Sequence, residues 1–156
     1  KNTSVKFRTD VASMCKLGFD IGLKAMTADE LAYCQDAVAN WKRLQPAIMD
    51  GDQYLLVSPY ETNHMADNYV SKDQKKAVLF AYDVYPRFQE KLINVKLQGL
   101  DPNKTYKVEE INLMPGVDSA LKSNGQTYTG DYLMKVGIEV FGFAATQSHV
   151  LELTAM

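Results

Sequence analysis

The sequence predicts an α+β fold, with an N-terminal helical segment over residues 1–50 followed by an antiparallel β-sandwich over residues 51–156. Before residue 51, apolar side chains recur at helical spacing. After it, the chain divides into about eight short runs rich in β-branched and aromatic residues, separated by turn residues. Short strands at this spacing are typical of antiparallel sandwiches.

The composition argues against several classes of protein. Of 156 residues, 46% are hydrophobic and 23% are charged, which are ordinary globular values. Seventeen basic and nineteen acidic side chains give a net charge of −2 without a basic stripe, so we expect neither nucleic acid nor a membrane as partner. Cys15 and Cys34 lie in segments predicted to be packed, which favours buried free thiols over a disulfide.

The start of the chain has the character of a cut fragment. It begins Lys1-Asn2-Thr3, with neither an initiator methionine nor a signal peptide, and it reads as structured from Val5 onward. We therefore expect a piece of a larger protein, and this terminus indicates no cellular compartment.

The first predicted element is a short amphipathic helix. Phe7, Val11 and Met14 recur at positions i, i+4 and i+7, which predicts a helix over residues 4–16. In this helix Asp10 falls on a different face from the three apolar residues.

A short extended segment at residues 19–21 precedes the strongest helix start in the chain. Thr27 is the predicted N-cap, and Glu30 completes a capping box with it. Pro46 lacks a backbone donor and is expected to end or kink this helix near Leu44. The apolar side chains of the helix share one face: Leu31, Cys34, Val38, Trp41, Leu44 and Ile48.

This helical segment is only part of an α/β unit, because a single short strand cannot form a parallel sheet. We infer that it belongs to a larger α/β domain. The apolar helical face that includes Leu31, Val38 and Trp41 needs a cover, so we expect it to drive self-association into a homo-oligomer or to dock on the β-sandwich.

The remaining chain is predicted to be mostly strands and turns. Pro59 ends the first strand because proline cannot donate to a ladder. Residues 115–126 read as a loop, and residues 128–134 read as a loop that enters either a one-turn helix or a strand. The predicted strands are residues 54–57, 68–71, 76–82, 91–97, 105–108, 111–113, 138–143 and 149–153.

Candidate reactive residues are few. His64 and Asp67 could touch one metal ion if they were helical, but a third ligand is missing and residues 63–67 are predicted to form a surface loop. His149 lies within a strand pattern. Glycoside hydrolysis needs a close pair of carboxylates, and a pair such as Asp20 with Asp52 has no support beyond residue type. The sequence therefore predicts no catalytic, cofactor-binding or metal-ligating residue.

Tyrosines offer an alternative function. A tyrosine ring combines an apolar face with a polar tip, so several in a row could form a platform for stacking sugars. The competing prediction is that they lie in the core or at the corners of the sandwich. The candidates are Tyr54, Tyr60, Tyr69, Tyr82, Tyr85, Tyr128 and Tyr132.

Several short motifs follow one another in a recognisable order. They are KFRTDVA at residues 6–12, LGFD at 17–20, GDQYLLVSPYE at 51–61, YVSKD at 69–73, AVLFAY at 77–82, LQGLDP at 97–102 and GDYLM at 130–134. Over nearly the whole chain this order resembles the C-terminal end of glycoside hydrolase family 36 α-galactosidases.

The resemblance implies a parent enzyme with an N-terminal β-domain, a central (β/α)₈ barrel and a C-terminal antiparallel β-domain. Such enzymes hydrolyse terminal α-linked galactose with retention, using two catalytic aspartates in barrel motifs that this chain does not contain. By resemblance, residues 1–50 are the end of the barrel and residues 51–156 the β-domain. The chain would then be non-catalytic and cofactor-free, with the barrel as partner. The alternative is a carbohydrate-binding or protein-interaction β-sandwich module.

Overall fold

A computed structural model describes residues 3–20 and 22–156 of the protein. In this part of the chain, two helices precede a set of strands and a third, short helix. Their bounds are α1 (Val5–Ser13), α2 (Ala28–Asp50), β1 (Asp52–Val57), β2 (His64–Val70), β3 (Lys76–Asp83), β4 (Thr105–Ile111), β5 (Thr127–Thr129), α3 (Gly130–Lys135) and β6 (Gln147–Ala155). A single 3₁₀ turn, Leu23–Ala25, lies between α1 and α2.

The strands form one antiparallel sheet in the order β1-β2-β3-β6-β4-β5. β6 lies between β3 and β4 and pairs with both. Thr154 of β6 lies opposite Lys76 of β3, and Val150 of β6 lies opposite Ile111 of β4. The predicted α+β class, with helices first and an antiparallel β-domain after them, is confirmed. The predicted domain boundary falls at Gly51, and the division into two domains stays a prediction.

Both faces of the sheet are covered, which makes the β-region sandwich-like. α1 and α2 lie on one face, over Tyr69, Val78, Phe80, Tyr82 and Val150. Irregular segments after β3 and after α3 lie on the other face. The main core forms there, where strand side chains that alternate with the first set meet Val95, Leu97 and Leu133 of the covering segments and α3. The strand side chains are Leu79, Ala81, Tyr106, Val108, Leu151 and Leu153.

α1 begins at Ser4, whose side chain accepts a hydrogen bond from the Phe7 amide. The helix is confirmed, and Phe7 and Met14 of the predicted apolar face pack against the core, but the most buried face is shifted to Val5, Thr9, Asp10 and Ser13. Val11 is 41% exposed, whereas Asp10 is completely buried. A carboxylate can occupy such a position only when its charge and lone pairs are matched by donors. Three of its four donors come from distant parts of the chain.

α2 begins with the predicted capping box, because the side chains of Thr27 and Glu30 each accept from the other's backbone N–H. Pro46 was expected to end or kink the helix near Leu44, and it does not end it, since α2 continues to Asp50. Leu44 is buried, and Ala47 and Ile48 pack with it on the sheet beyond the proline. This burial offsets the hydrogen bond that Pro46 cannot make.

Several local predictions were also wrong. Residues 63–67 are not a surface loop, because β2 begins at His64 and is almost wholly buried. The strands predicted at 91–97 and 138–143 are reduced to a single bridge between Val95 and Ile138. Of the extended segment at 19–21, residues 19 and 20 belong to no strand and residue 21 lies outside the described residues. Cys34 is buried, but Cys15 is exposed.

Candidate functional site

A buried polar cluster joins the helices to the sheet, and we call it the Asp10 network. The Asp10 carboxylate oxygen Oδ2 accepts hydrogen bonds from Lys6 Nζ at 2.6 Å and from Ser148 Oγ at 2.7 Å. Oδ1 accepts from Tyr33 Oη and from Asn112 Nδ2, both at 2.9 Å. Charge-assisted hydrogen bonds of this kind are the strongest in proteins. The network therefore fixes α1 against α2, β6 and the segment after β4.

Tyrosine hydroxyls complete the network. Tyr82 on β3 donates to the backbone carbonyl of Asp10 at 2.8 Å. Burial raises the pKa of Tyr33 and of Tyr82 well above the ordinary tyrosine value, and the Asp10 charge raises both further. Both phenols therefore stay protonated and act as hydrogen-bond donors.

Beside the network lies a cleft of about 380 Å³, which we call the α1 cleft. Ser4 and Lys6 of the α1 region form one wall, and Glu110 of β4 with Ser148 and His149 of β6 form another. The cleft exists because α1 starts at the edge where β4 and β6 end their pairing.

Glu110 and His149 form a cross-strand pair at the base of the α1 cleft. The imidazole Nδ1 lies 2.6 Å from Glu110 Oε1, and Ser119 Oγ donates to Oε2. Burial alone would raise the pKa of Glu110, but the hydrogen bonds from His149 and Ser119 outweigh it and hold that pKa below the ordinary value. Glu110 is therefore ionised near neutral pH.

This arrangement is suited to holding structure rather than to acyl transfer. In a serine nucleophile system, the hydroxyl donates to the histidine and a carboxylate orients the other ring nitrogen. Here Ser119 donates to Glu110 and Ser148 donates to Asp10. In the described residues neither serine hydrogen-bonds to His149, so neither hydroxyl is activated by it.

His64 belongs to a second buried group on the opposite face of the sheet from the helices. Its Nδ1 lies 2.7 Å from Asp83 Oδ1, and its ring stacks on Phe141 with centroids 4.5 Å apart. Asp67 is three residues further along β2 and therefore points to the other face, where it accepts from Gln53 at 2.8 Å. A strand cannot bring His64 and Asp67 to one metal ion.

The other sequence candidates are also kept apart. Asp20 lies in an exposed loop, and Asp52 forms a surface ion pair with Lys72 at the start of β1. Across residues 3–20 and 22–156, no group of three or more His, Cys, Asp or Glu side chains could hold a metal ion. None of the helices described is both long and apolar enough to cross a membrane.

The seven tyrosines do not form one platform. Tyr69 and Tyr82 are buried beneath the helices, and Tyr54 packs against the main core. Tyr60 is 98% exposed and Tyr85 is 72% exposed. The two tyrosines that the structure does bring together are those around α3: Tyr128 and Tyr132.

Sequence reasoning missed the residues of the Asp10 network and the Glu110–His149 pair. One signal was present, because Lys6 and Asp10 are spaced i, i+4 on a helix and form the ion pair that this spacing allows. Nothing local indicates burial. Ser148 reaches Asp10 across 138 residues of chain, a contact that only the fold creates.

Comparison with known proteins identifies the family of this chain. The family profile described as "Glycosyl hydrolase family 36 C-terminal domain" matches residues 64–153, which is more than half of the chain. The chain belongs to this family. The resemblance inferred from the motifs is therefore confirmed.

Relatives of this family 36 C-terminal domain are much longer proteins. Alpha-galactosidase 2 of Hypocrea jecorina is 29% identical over 140 residues, which are 89% of this chain and 17% of the relative. Alpha-galactosidase AgaA of Geobacillus stearothermophilus is 28% identical over 135 residues, covering 86% of this chain and 17% of the relative. The crystal structure of family 36 α-galactosidase AgaB from the same species superposes with a TM-score of 0.84 at 27% identity, over 100% of this chain and 20% of that one. The chain thus spans about a fifth or less of these proteins.

Proposed function

We propose that this chain is the C-terminal part of an α-galactosidase, and that it carries no catalytic residue itself. The parent would remove terminal α-linked galactose with retention, using carboxylates elsewhere in its sequence. The observation that supports this most directly is the full-length superposition of the chain on only 20% of the AgaB structure. The role of the chain would be to pack against the barrel and keep it folded.

The state of the carboxylates supports a non-catalytic role. A retaining glycosidase needs one carboxylate free to attack the sugar and a second about 5–5.5 Å away. Asp10 is completely buried under four donors, and Glu110 is held by His149 and Ser119. A carboxylate held in this way has no open approach for an anomeric carbon.

An exposed aromatic patch is a candidate surface for contact with the barrel. Tyr85, Phe88 and Phe143 are 72%, 93% and 62% exposed, and Phe88 and Phe143 line one shallow pocket. Exposed aromatic clusters commonly mark interaction sites. The four-fifths of AgaB that the chain does not cover is enough additional protein to bury such a patch.

The test is an assay of the purified chain with an aryl α-galactoside, followed by fusion to the AgaB barrel lacking its own C-terminal fifth. We expect no turnover from the chain alone and recovery of soluble, active enzyme in the fusion. A matched pair of fusions, Phe88→Ser and Tyr60→Ser, should separate the patch from general surface effects, with loss of soluble enzyme only in the first. Turnover by the chain alone that disappears in Asp10→Asn or Glu110→Gln would refute the proposal.

The predicted oligomer through Leu31, Val38 and Trp41 is a separate proposal. Leu31 is 39% exposed, while Val38 and Trp41 are half-buried and Trp41 Nε1 donates to the Cys15 carbonyl at 2.9 Å. Much of this face therefore docks on the protein itself, and Leu31 is the member left most available for a second copy. If it mediates association, Leu31→Glu lowers the sedimentation coefficient of concentrated protein, and an unchanged coefficient contradicts it.

A further inference from the structure

A pocket of about 200 Å³ lies beside α3, away from the α1 cleft, and we call it the tyrosine pocket. It forms where the turn into α3 meets two irregular segments that cover the sheet. Its polar and aromatic walls come from six residues: Asn94, Lys122, Ser123, Tyr128, Tyr132 and Glu139. Gly137 and Ile138 complete it and contribute little beyond shape.

One wall is a stacked aromatic pair. Tyr128 and Tyr132 have ring centroids 5.2 Å apart and an interplanar angle of 14°. Their spacing of four residues, with Thr129 capping α3 between them, holds both rings in place. Tyr132 is still 41% exposed, so part of a rigid ring is available to a ligand. Such a ring offers an apolar surface and a polar tip at a low entropic cost.

The charges at the rim favour a neutral ligand. Lys122 Nζ lies 3.1 Å from Glu139 Oε2, and both side chains are largely exposed. Their opposite charges cancel, so the pocket offers neither a phosphate nor a carboxylate a net attraction. Together with the Asn94 amide they still supply several donors and acceptors for hydroxyl groups.

We propose that the tyrosine pocket binds one neutral hexopyranose ring, with its C–H face against Tyr132 and its hydroxyl groups on Asn94 and the Lys122–Glu139 pair. The combination of an aromatic face, mixed donors and acceptors, and no net charge matches a polyhydroxylated ring better than an anion or an apolar molecule. This site goes beyond the packing role proposed above, which requires no ligand. Of the seven tyrosines that the sequence offered as candidates for stacking a sugar, it selects Tyr128 and Tyr132.

The proposal is tested by saturation-transfer NMR on the complete chain with methyl α-D-galactopyranoside and methyl α-D-glucopyranoside. For a ligand of this size we expect saturable binding with a dissociation constant on the order of 1 mM. Tyr132→Ala should weaken binding by about tenfold or more, because it removes the apolar platform. Asn94→Ala should weaken it by roughly three- to tenfold through loss of one hydrogen bond.

Tyr60→Ala is the matched control, since Tyr60 is 98% exposed and lies outside the pocket. It should bind the sugar as the unchanged protein does, and circular dichroism should show all three variants folded. If neither sugar binds saturably to the protein up to about 50 mM, the proposal is overturned. Equal weakening by Tyr60→Ala, or tighter binding of galactose 1-phosphate than of the neutral sugars, would also overturn it.

Discussion

Replacing Asp10 with alanine should cost the protein a large part of its stability. The substitution removes the acceptor of four hydrogen bonds, from Lys6, Tyr33, Asn112 and Ser148, at 2.6–2.9 Å. Lys6 is 17% exposed and can turn partly to water, but the other donors are enclosed. Breaking a buried, hydrogen-bonded charge pair from one side costs about 3–5 kcal/mol, because the remaining groups stay desolvated. We expect the free energy of unfolding to fall by that amount.

Urea titration at neutral pH measures this loss, with Trp41 fluorescence and far-UV circular dichroism as two probes of one transition. Asp52→Ala is the control, since it breaks an ion pair with Lys72 in which both side chains are more than half exposed. Such surface pairs contribute about 0–1 kcal/mol. If the two alanine variants lose equal stability at unchanged m-value, then the Asp10 network does not anchor α1 and the reasoning fails.

Three further predictions concern the backbone, an ion pair and the thiols. Gly137 has φ +78° and an added Cβ would lie 2.3 Å from the Val95 carbonyl oxygen, whereas Gly116 has φ +74° with nothing within 4 Å. Gly116→Ala should therefore cost about 1 kcal/mol and Gly137→Ala about 3 kcal/mol or more in urea titrations. The Glu110 carboxylate, whose pKa is lowered in the fold, stabilises the protein at neutral pH and loses this contribution as acid protonates it. As the pH is lowered from neutral to about 3, the free energy of unfolding should therefore fall less steeply for Glu110→Gln than for the unchanged protein. Finally, a thiol reagent should modify exposed Cys15 rapidly and Cys34 slowly, because burial shields Cys34 and raises its pKa.

Each of these predictions has a contrary result. Equal losses of unfolding free energy in the two glycine variants would mean that the backbone near Val95 shifts to accommodate the added Cβ at no energetic cost. Parallel acid profiles for the Glu110→Gln variant and the unchanged protein would show that its carboxylate carries no net stabilisation. Modification of both thiols at one rate in the folded protein would place Cys34 at the surface.

Elements set by neighbouring residues could be predicted from the sequence. The capping box of Thr27 and Glu30 involves residues three apart, and the pattern alone located it. The end of α2 could not be found in this way, because Ala47 and Ile48 continue the helix past Pro46 by packing on strands that come later in the chain. Propensity yields to tertiary contact wherever the burial is large enough.

The candidate sites show the same division between local and distant causes. His64 was expected in a surface loop, yet it is buried because Asp83 pairs with its imidazole and Phe141 stacks on it, 19 and 77 residues away. Stacking of Tyr128 on Tyr132 arises from a spacing that is visible in the sequence, but the pocket beside it also needs Asn94 and Glu139. The sequence therefore showed which residue types were present and could not show which of them would meet.

The position of β6 governs how the sheet can be assembled during synthesis. β1, β2 and β3 can form a meander as they emerge from the ribosome, and β4 and β5 can pair with each other. In the described chain these two pieces are joined in the ladder only by β6, Gln147–Ala155. Until that strand is made, β3 and β4 each present an open, apolar edge of the kind that aggregates or recruits chaperones. Ribosome stalling before residue 147 would therefore yield two separate, aggregation-prone β-pieces rather than a shortened domain.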